Sequence, residues 1–338
     1  MIRIRRLLGL LLFMPFTGLA QDSLSRGTYV RIVSENDGYQ LRTRDVTDRY
    51  FTNGLRLDFI GNYWYRWPTR YLLLSFPAQS ERKDDRLYSL SVGQEMYTPR
   101  RLDQSRPSLY PYDRPYAGYL YLAWKLTTVD ATRSRRLASA ITLGVLGPPS
   151  LADRTQMALH KLLRQPKPMG WTNQIKTDVA ISYNLQLENR LFGYLGPNLD
   201  LMGAVEANLG TLSNYMGVGC HLRLGFFTDY FTSVTGFYER GKKTTDRRFQ
   251  VYGFVRPAYR SVLDNTLLQG GWINGRRNTY ALPANEMEHF YAQADYGLVL
   301  AYRGIQLSVA KTIRGREYST GEQQQWGRLS LFWRAHQE

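Results

Sequence analysis

The chain has 338 residues with 25 Tyr, 14 Phe and 7 Trp but a single cysteine, Cys220, which excludes the disulfide framework common in exported soluble domains. Its formal net charge is +16, yet no nucleic-acid-binding motif accompanies that charge. No stretch approaches the roughly 18 consecutive apolar residues of a membrane helix, and a mean hydropathy of −0.41 conceals a strong alternation of apolar and polar residues.

The N-terminus carries Arg3, Arg5 and Arg6, then an apolar run Leu7–Phe16, then Gly18-Leu19-Ala20. That order reads as the three regions of a signal peptide over residues 1–20. The run is too short to span a bilayer as an anchor. The exported chain then begins at Gln21 and forms one domain over 21–338. Without the three leading arginines its charge is about +13. On an exported protein such a surface suits anionic lipid or lipopolysaccharide phosphates. An aromatic-rich, exported chain without disulfides and with alternating segments fits an all-β fold, a transmembrane antiparallel β-barrel with a polar lumen.

The alternation predicts strands over 28–35, 52–60, 86–96, 116–127 and 136–146. Leu55, Leu57 and Phe59 share one face of the second, opposite Arg56 and Asp58. In the fifth, Leu137, Ile141, Leu143 and Val145 oppose Ala138, Ala140, Thr142 and Gly144, small enough for a crowded lumen. The sixth is the cleanest: Val179, Ile181, Tyr183, Leu185 and Leu187 alternate with Asp178, Ser182, Asn184, Gln186 and Glu188. Later strands fall near 198–207, 216–226, 249–262, 289–302, 304–311 and 327–333. Segments of about ten residues match a tilted membrane strand, and about twelve of them give the even number of bacterial barrels. Residues 227–243 and 265–277 receive no assignment.

Between the fifth and sixth strands lies one helical segment. Ser150 or Asp153 is expected to cap it, and Pro166 and Pro168 to end it. Leu159, Leu162 and Leu163 are expected to pack it down, while Gln156 and His160 share another face. With both termini in the periplasm, strand parity sends the loops 36–51, 97–115 and 147–173 to the same outward rim.

Those loops hold the clusters that look chemical. Glu35-Asn36-Asp37 ends the first strand; carboxylates beside an amide oxygen suit a hard cation, or simply form a turn. Asp48 and Thr52 flank Arg49, Tyr50 and Phe51 where the chain enters the second strand. This is either a rim belt with an Asp–Arg pair or the arrangement that brings Thr52 opposite Asn36. Asp113 and Arg114 lie in a loop fixed by Pro111, Pro115 and Gly118; they are solvated charges, or Arg114 meets a phosphate with its planar fork. A lone helical histidine such as His160 is commonly structural. His221 and His289 fall in strands and His336 lies in the tail. There is no G-x-S-x-G elbow and no H-E-x-x-H pair. Cys220 alternates to the lipid-facing side with Val218 and Leu222, where burial makes a thiol a poor nucleophile.

Taken together, these stretches resemble the lipid A deacylase family of outer-membrane barrels, the lipid A 3′-O-deacylases. The resemblance rests on Glu35-Asn36-Asp37, Asp48 to Gly54, Gly93-Gln94 with Tyr97-Thr98-Pro99, Asp113 to Gly118, and Gly147 through Gln156, His160, Pro168, Gly170-Trp171 and Gln174. It implies a twelve-stranded barrel of the outer membrane and a Ca²⁺-dependent hydrolase of lipid A, with the site between the wall and a loop helix. By that resemblance His160 is the base, Asn36 and Asp37 belong to the metal site, and Thr52 and Gln156 line the pocket. Arg100, Arg101 and Arg114 would hold lipid A phosphates, with Asp113 and Asp48 beside them. The resemblance also implies a glutamate shortly after the histidine; here Gln165 and Pro166 stand five and six residues beyond it, and Asp178 is a more distant substitute. The expected partners are lipopolysaccharide and outer-membrane lipids, with no nucleic acid and no protein partner. Two alternatives stay open: a phospholipase-like esterase with the same histidine and metal, and a non-catalytic barrel, a porin or surface-binding protein, that shares this rim.

Overall fold

A computed structural model describes residues 28–39, 49–61, 69–76, 86–108, 112–193, 195–231 and 248–336. The signal-peptide reading of residues 1–20 and the position of Asp48 lie outside them. Twelve antiparallel strands close into a barrel, each paired to its neighbours in sequence and the first to the last. They are β1 (Thr28–Asn36), β2 (Tyr50–Ile60), β3 (Arg86–Thr98), β4 (Ala117–Asp130), β5 (Arg135–Leu146), β6 (Asp178–Arg190), β7 (Leu199–Gly210), β8 (Ser213–Phe226), β9 (Phe249–Asn265), β10 (Phe290–Tyr302), β11 (Ile305–Arg314) and β12 (Gln324–His336). Closure leaves no unpaired edge, the condition a sheet must meet in hydrocarbon. Among the described residues no helix is long and apolar enough to cross a membrane.

All twelve predicted strands are present, most of them a few residues longer than their alternation suggested. The period-two pattern separates two surfaces. Ile32, Leu55, Val92, Leu122, Leu143 and Ile181 are exposed on the outer wall. Inside, charges pair across strands: Arg31 Nε to Asp58 Oδ2 at 2.6 Å, Arg260 Nε to Glu206 Oε1 at 2.5 Å, and Arg328 Nε to Glu35 Oε1 at 2.7 Å. The lumen is crowded as well as polar. A Cβ on Gly93 would collide with the Tyr121 ring, and one on Gly144 with Tyr119. Cys220 follows the outward parity of Val218, as expected, while His221 turns inward beside Glu188.

Of the two unassigned segments, 265–277 forms elements, while 232–243 of the other lie outside the described residues. Residues 265–277 give α3 (Thr266–Gln269) and a 3-10 turn (Gly275–Arg277), with Asn265 Oδ1 accepting the Leu267 N–H as N-cap. Phe227 packs under the Arg223 guanidinium, and Phe231 packs with Val129 and Met202 at the rim opposite these turns. The remaining helices are α1 (Thr69–Leu72) and α2 (Ala152–Leu163). The hairpins that end β1, β3, β5, β7, β9 and β11 all lie at one rim, and α2 belongs to it.

Candidate active site

Helix α2 is entered through a 3-10 turn, Pro148–Ser150, and starts after Leu151, which sits in the left-handed region at φ 59°. Neither expected cap holds its N-cap position. Ser150 Oγ donates to the Gly147 carbonyl at 2.6 Å and accepts the Ala152 N–H at 3.4 Å, and Asp153 lies in the first turn, where a carboxylate suits the helix dipole. At the other end Arg164, also left-handed at φ 56°, closes the helix before Pro166.

The packed face differs from the expected one. Ala152, Gln156 and His160 are buried, whereas Leu162 and Leu163 are 69% and 64% exposed. Leu162 and Leu163 do not pin the helix to protein, and Leu159 is only half-buried. The barrel register explains this inversion. Gly327 of β12, Asn36 of β1, Asn53 of β2, Met96 of β3 and Gly118 of β4 pair in turn across five strands. They form one row, and it belongs to the outward parity, two residues above Leu55 and four above Val92. A Cβ on Gly118 would collide with Ser150 and Ala152, so α2 lies against the outside of the wall. Met96, Tyr116, Ala152 and Trp171 form the apolar joint beneath it. A helix in this place has lipid on its free side, and apolar residues there need no protein partner.

The polar groups of the joint are directed. The Trp171 indole donates to Gln156 Oε1 at 2.6 Å, and its ring packs on Tyr116 with centroids 5.1 Å apart. Gly170 lets that pair close, because a Cβ there would enter the Tyr116 ring. With its oxygen held, Gln156 points its amide nitrogen the other way, where it is buried without a hydrogen-bond partner among the described residues. His160 Nδ1 lies 2.5 Å from the Pro166 carbonyl. A carbonyl only accepts, so the neutral imidazole carries its proton on Nδ1 and its lone pair on Nε2. Pro166 thus supplies, through its backbone, an acceptor for the ring of the kind a glutamate would offer. Asp178 does not serve there: its oxygens accept the N–H groups of Val179, Ile273 and Asn274 and anchor the β9–β10 loop.

Thr52 and Asn36 do meet across the β1–β2 hairpin, one residue out of the expected step. Asn36 pairs with Asn53, and its amide nitrogen donates to the Thr52 carbonyl at 2.9 Å. Thr52 is the extra residue of a bulge between Phe51 and Asn53, which turns its hydroxyl to Thr98 Oγ1 at 2.7 Å. Bulges beside active sites re-aim side chains in this way. The triplet that ends β1 is divided by strand parity: Glu35 faces the lumen and binds Arg328, while Asn36 faces out. Asp37 is buried in a 3-10 turn (Asp37–Tyr39), with Oδ2 accepting the Arg49 N–H at 2.9 Å. Asn36 Oδ1 accepts the Gly38 N–H.

The donors at this corner are hard oxygens, the kind calcium takes, but the ion takes six to eight of them. Among the described residues no three acidic, His or Cys side chains converge on one point. Asn36 and Asp37 therefore fit such an ion in kind and would supply only part of a ligand shell.

Arg114 requires a correction as a phosphate contact. It is fully buried, lies over the Tyr97 ring at 4.4 Å and faces Glu317 Oε2 at 3.5 Å. Burial alone would raise the Glu317 pKa, but Arg314 and Arg114 outweigh it and hold the carboxyl below its ordinary value. Asp113 organises the same loops: Oδ1 accepts from the Arg114 N–H and the Tyr318 hydroxyl, and Oδ2 from the Arg100 N–H. Arg100 and Arg101 do reach the surface, 44% and 62% exposed, where they pair with Glu322 and Asp103.

The profile of a family described as outer membrane protein LpxR matches residues 7–335. The chain belongs to the LpxR family. Among solved structures, LpxR from Salmonella typhimurium superposes with a TM-score of 0.69 at 20% identity, covering 90% of this chain and 99% of that one. The β domain of the Bordetella autotransporter BrkA gives 0.43 at 10% identity, covering 91% and 98%. No curated protein matches the sequence. Within this LpxR-family barrel, sequence reasoning assigned no role to Trp171, Thr98 or the Pro166 carbonyl. Trp171 and Thr98 stood in the matching stretches, but their partners are Gln156 and Thr52, 15 and 46 residues away.

Proposed function

We propose that this protein is a lipid A 3′-O-deacylase, a hydrolase that removes the 3′-linked acyloxyacyl group at the outer surface of the outer membrane. Membership of the LpxR family supports the substrate class. The observation that carries the chemistry is the paired orientation on one face of α2. His160 has its tautomer set by the Pro166 carbonyl, and Gln156 has its amide nitrogen turned free by Trp171.

His160 Nε2 takes a proton from water as the water oxygen attacks the ester carbonyl. The Gln156 N–H group donates to the oxygen that becomes negative. The carbon–oxygen bond to the sugar then breaks, and the imidazolium returns its proton to the departing sugar oxygen. Thr52, held by Thr98, bounds the site on the β2 side. Asn36 and Asp37 would hold a Ca²⁺ ion, with water and substrate oxygens completing its shell; such an ion supplies charge that polarises a carbonyl. Arg100 and Arg101 would meet lipid A phosphates by exchanging their exposed carboxylate partners Glu322 and Asp103.

The test is mass spectrometry of lipid A from cells expressing the wild type or His160→Ala. Loss of the 3′ acyloxyacyl mass in the wild type alone supports the reading. An unchanged mass in both overturns it, and fatty acid released from glycerophospholipid instead moves the assignment to a phospholipase.

A further inference from the structure

The row Gly327–Asn36–Asn53–Met96–Gly118 is covered at both ends, Met96 and Gly118 by the α2 joint and Gly327 by the β1–β2 turn, and part-exposed at Asn36 and Asn53 between them. Over Gly118 lie Ser150 and Ala152 at the start of α2. Over Gly327 lies Tyr39: a Cβ on that glycine would meet both the side chain and the backbone of Tyr39. The Tyr39 hydroxyl lies 2.9 Å from Ser34 Oγ, two residues further along β1 on the outward face. Its ring therefore runs down the wall beside Asn36, away from the rim. Ser34 pairs with Leu55 of β2, which pairs with Gln94 of β3, which pairs with Leu120 of β4. Along that lower row the cover is uneven. Gln94 is tied to the Ser150 carbonyl at 2.6 Å and Leu120 is half-buried, whereas Leu55 is 54% exposed. The open part of the outer wall thus lies over β1 and β2, between the Tyr39 ring and α2, directly below Asn36 and Asn53.

Resting on the deacylase reading, we infer that this bay is the slot for the acyl chain of the scissile ester, with Leu55 as its floor and Tyr39 as a substrate-positioning side wall. The occupant is a saturated chain because the bay is continuous with the lipid-facing wall below it, where Ile32 and Val92 are exposed. A chain already in the bilayer enters from beneath and brings its ester up to the row of Asn36 and Asn53. Strand geometry places Leu55 about 7 Å below that row, roughly the length of the first five or six chain carbons. A tyrosine that belonged only to the interfacial aromatic belt would leave substrate binding unaffected.

The test uses the full chain folded in detergent micelles, with lipid A as the probe, and four variants: Tyr39→Ala, Tyr39→Phe, Leu55→Trp and, on β10, three strands around the wall from β1, Leu298→Trp. Leu298 is likewise lipid-facing, at 66% exposure, and controls for a bulky ring on the wall. Losing the Tyr39 ring contact raises KM about tenfold with kcat within about twofold, because it removes binding common to ground and transition states; Tyr39→Phe restores KM. Leu55→Trp shifts the preference toward shorter acyl chains, and Leu298→Trp does not. Each variant is also combined with His160→Ala, and the dissociation constant for lipid A is measured. If the wild type releases no fatty acid, the deacylase reading fails, and the slot is judged on binding alone. An affinity weakened about tenfold by Leu55→Trp or Tyr39→Ala and not by Leu298→Trp supports the slot. Equal affinities in all variants overturn it, whether or not the wild type turns over.

Discussion

The lumen and the outer wall near α2 are made from the same strands, and their hydrogen-bonding groups are used in opposite ways. Inside, carboxylates and guanidinium groups face one another across one or two strands, as in Arg31–Asp58, Arg260–Glu206 and Glu35–Arg328. Outside, hydrogen bonds to neighbouring loops set the direction of the two polar side chains on the buried face of α2. Gln156 is fixed through its oxygen and His160 through Nδ1. The first arrangement rigidifies the barrel. The second fixes the direction of side chains on the outer wall, the preorganisation that catalysis draws on. The contrast teaches that the lumen uses its polar groups for mutual pairing, whereas the wall near α2 uses them for orientation.

The largest expected break falls on the outer wall. His160→Ala should lower turnover by about 10³-fold, the loss of a general base, with the heat stability of the folded barrel unchanged on electrophoresis. Gln156→Leu should cost about 10²-fold in kcat, as removal of one oxyanion donor does. Trp171→Phe, which leaves the ring but frees the amide to rotate, should cost about tenfold. If Trp171→Phe equals wild type in kcat, the amide direction is not what matters and the contrast fails. At the lumen-side junction the readout reverses. Arg114→Met should destabilise the barrel by about 3 kcal/mol, since it leaves Glu317 buried without one of its two arginines, and the effect should appear in thermal unfolding.

The smallest effect is one of pH. Glu317 has a folded-state pKa below its unfolded one because Arg314 and Arg114 outweigh burial. Its contribution to stability is therefore fully present above the ordinary carboxylate pKa of about 4.3, and is lost as pH falls through the lower folded value. Thermal unfolding between pH 3 and pH 5 should fall less steeply for Glu317→Gln than for wild type. Equal slopes would show that the carboxyl is not held by those arginines.

Strand period and count were legible in the sequence because alternation is forced by two unlike solvents, lipid and lumen, and each residue reports which one it meets. Asn36, Thr52, Gln156 and His160 were legible as candidates through strand parity and family resemblance. The packed face of α2 was not. Leu162 and Leu163 mark the buried side of a helix in water, but here they lie on its free side together with Arg154 and Lys161. Arg114 was misjudged for a related reason: its loop sequence is polar, and only the fold brings Glu317, 203 residues later, to 3.5 Å. The Trp171–Gln156 and Thr98–Thr52 contacts are pairings between separate loops and strands, which no local pattern records.

The seam of the barrel also fixes an order of assembly. Asn36 stands opposite Gly327, and the turn bearing Tyr39 rests on that glycine. The Tyr39 flank of the bay therefore rests on the last strand to be synthesised, although the opposite flank, α2, comes from the middle of the chain. A barrel that has not yet joined its first strand to its twelfth has α2 but only half a cleft. On the deacylase reading, hydrolytic competence arrives with closure, as a late event in biogenesis rather than a gradual one.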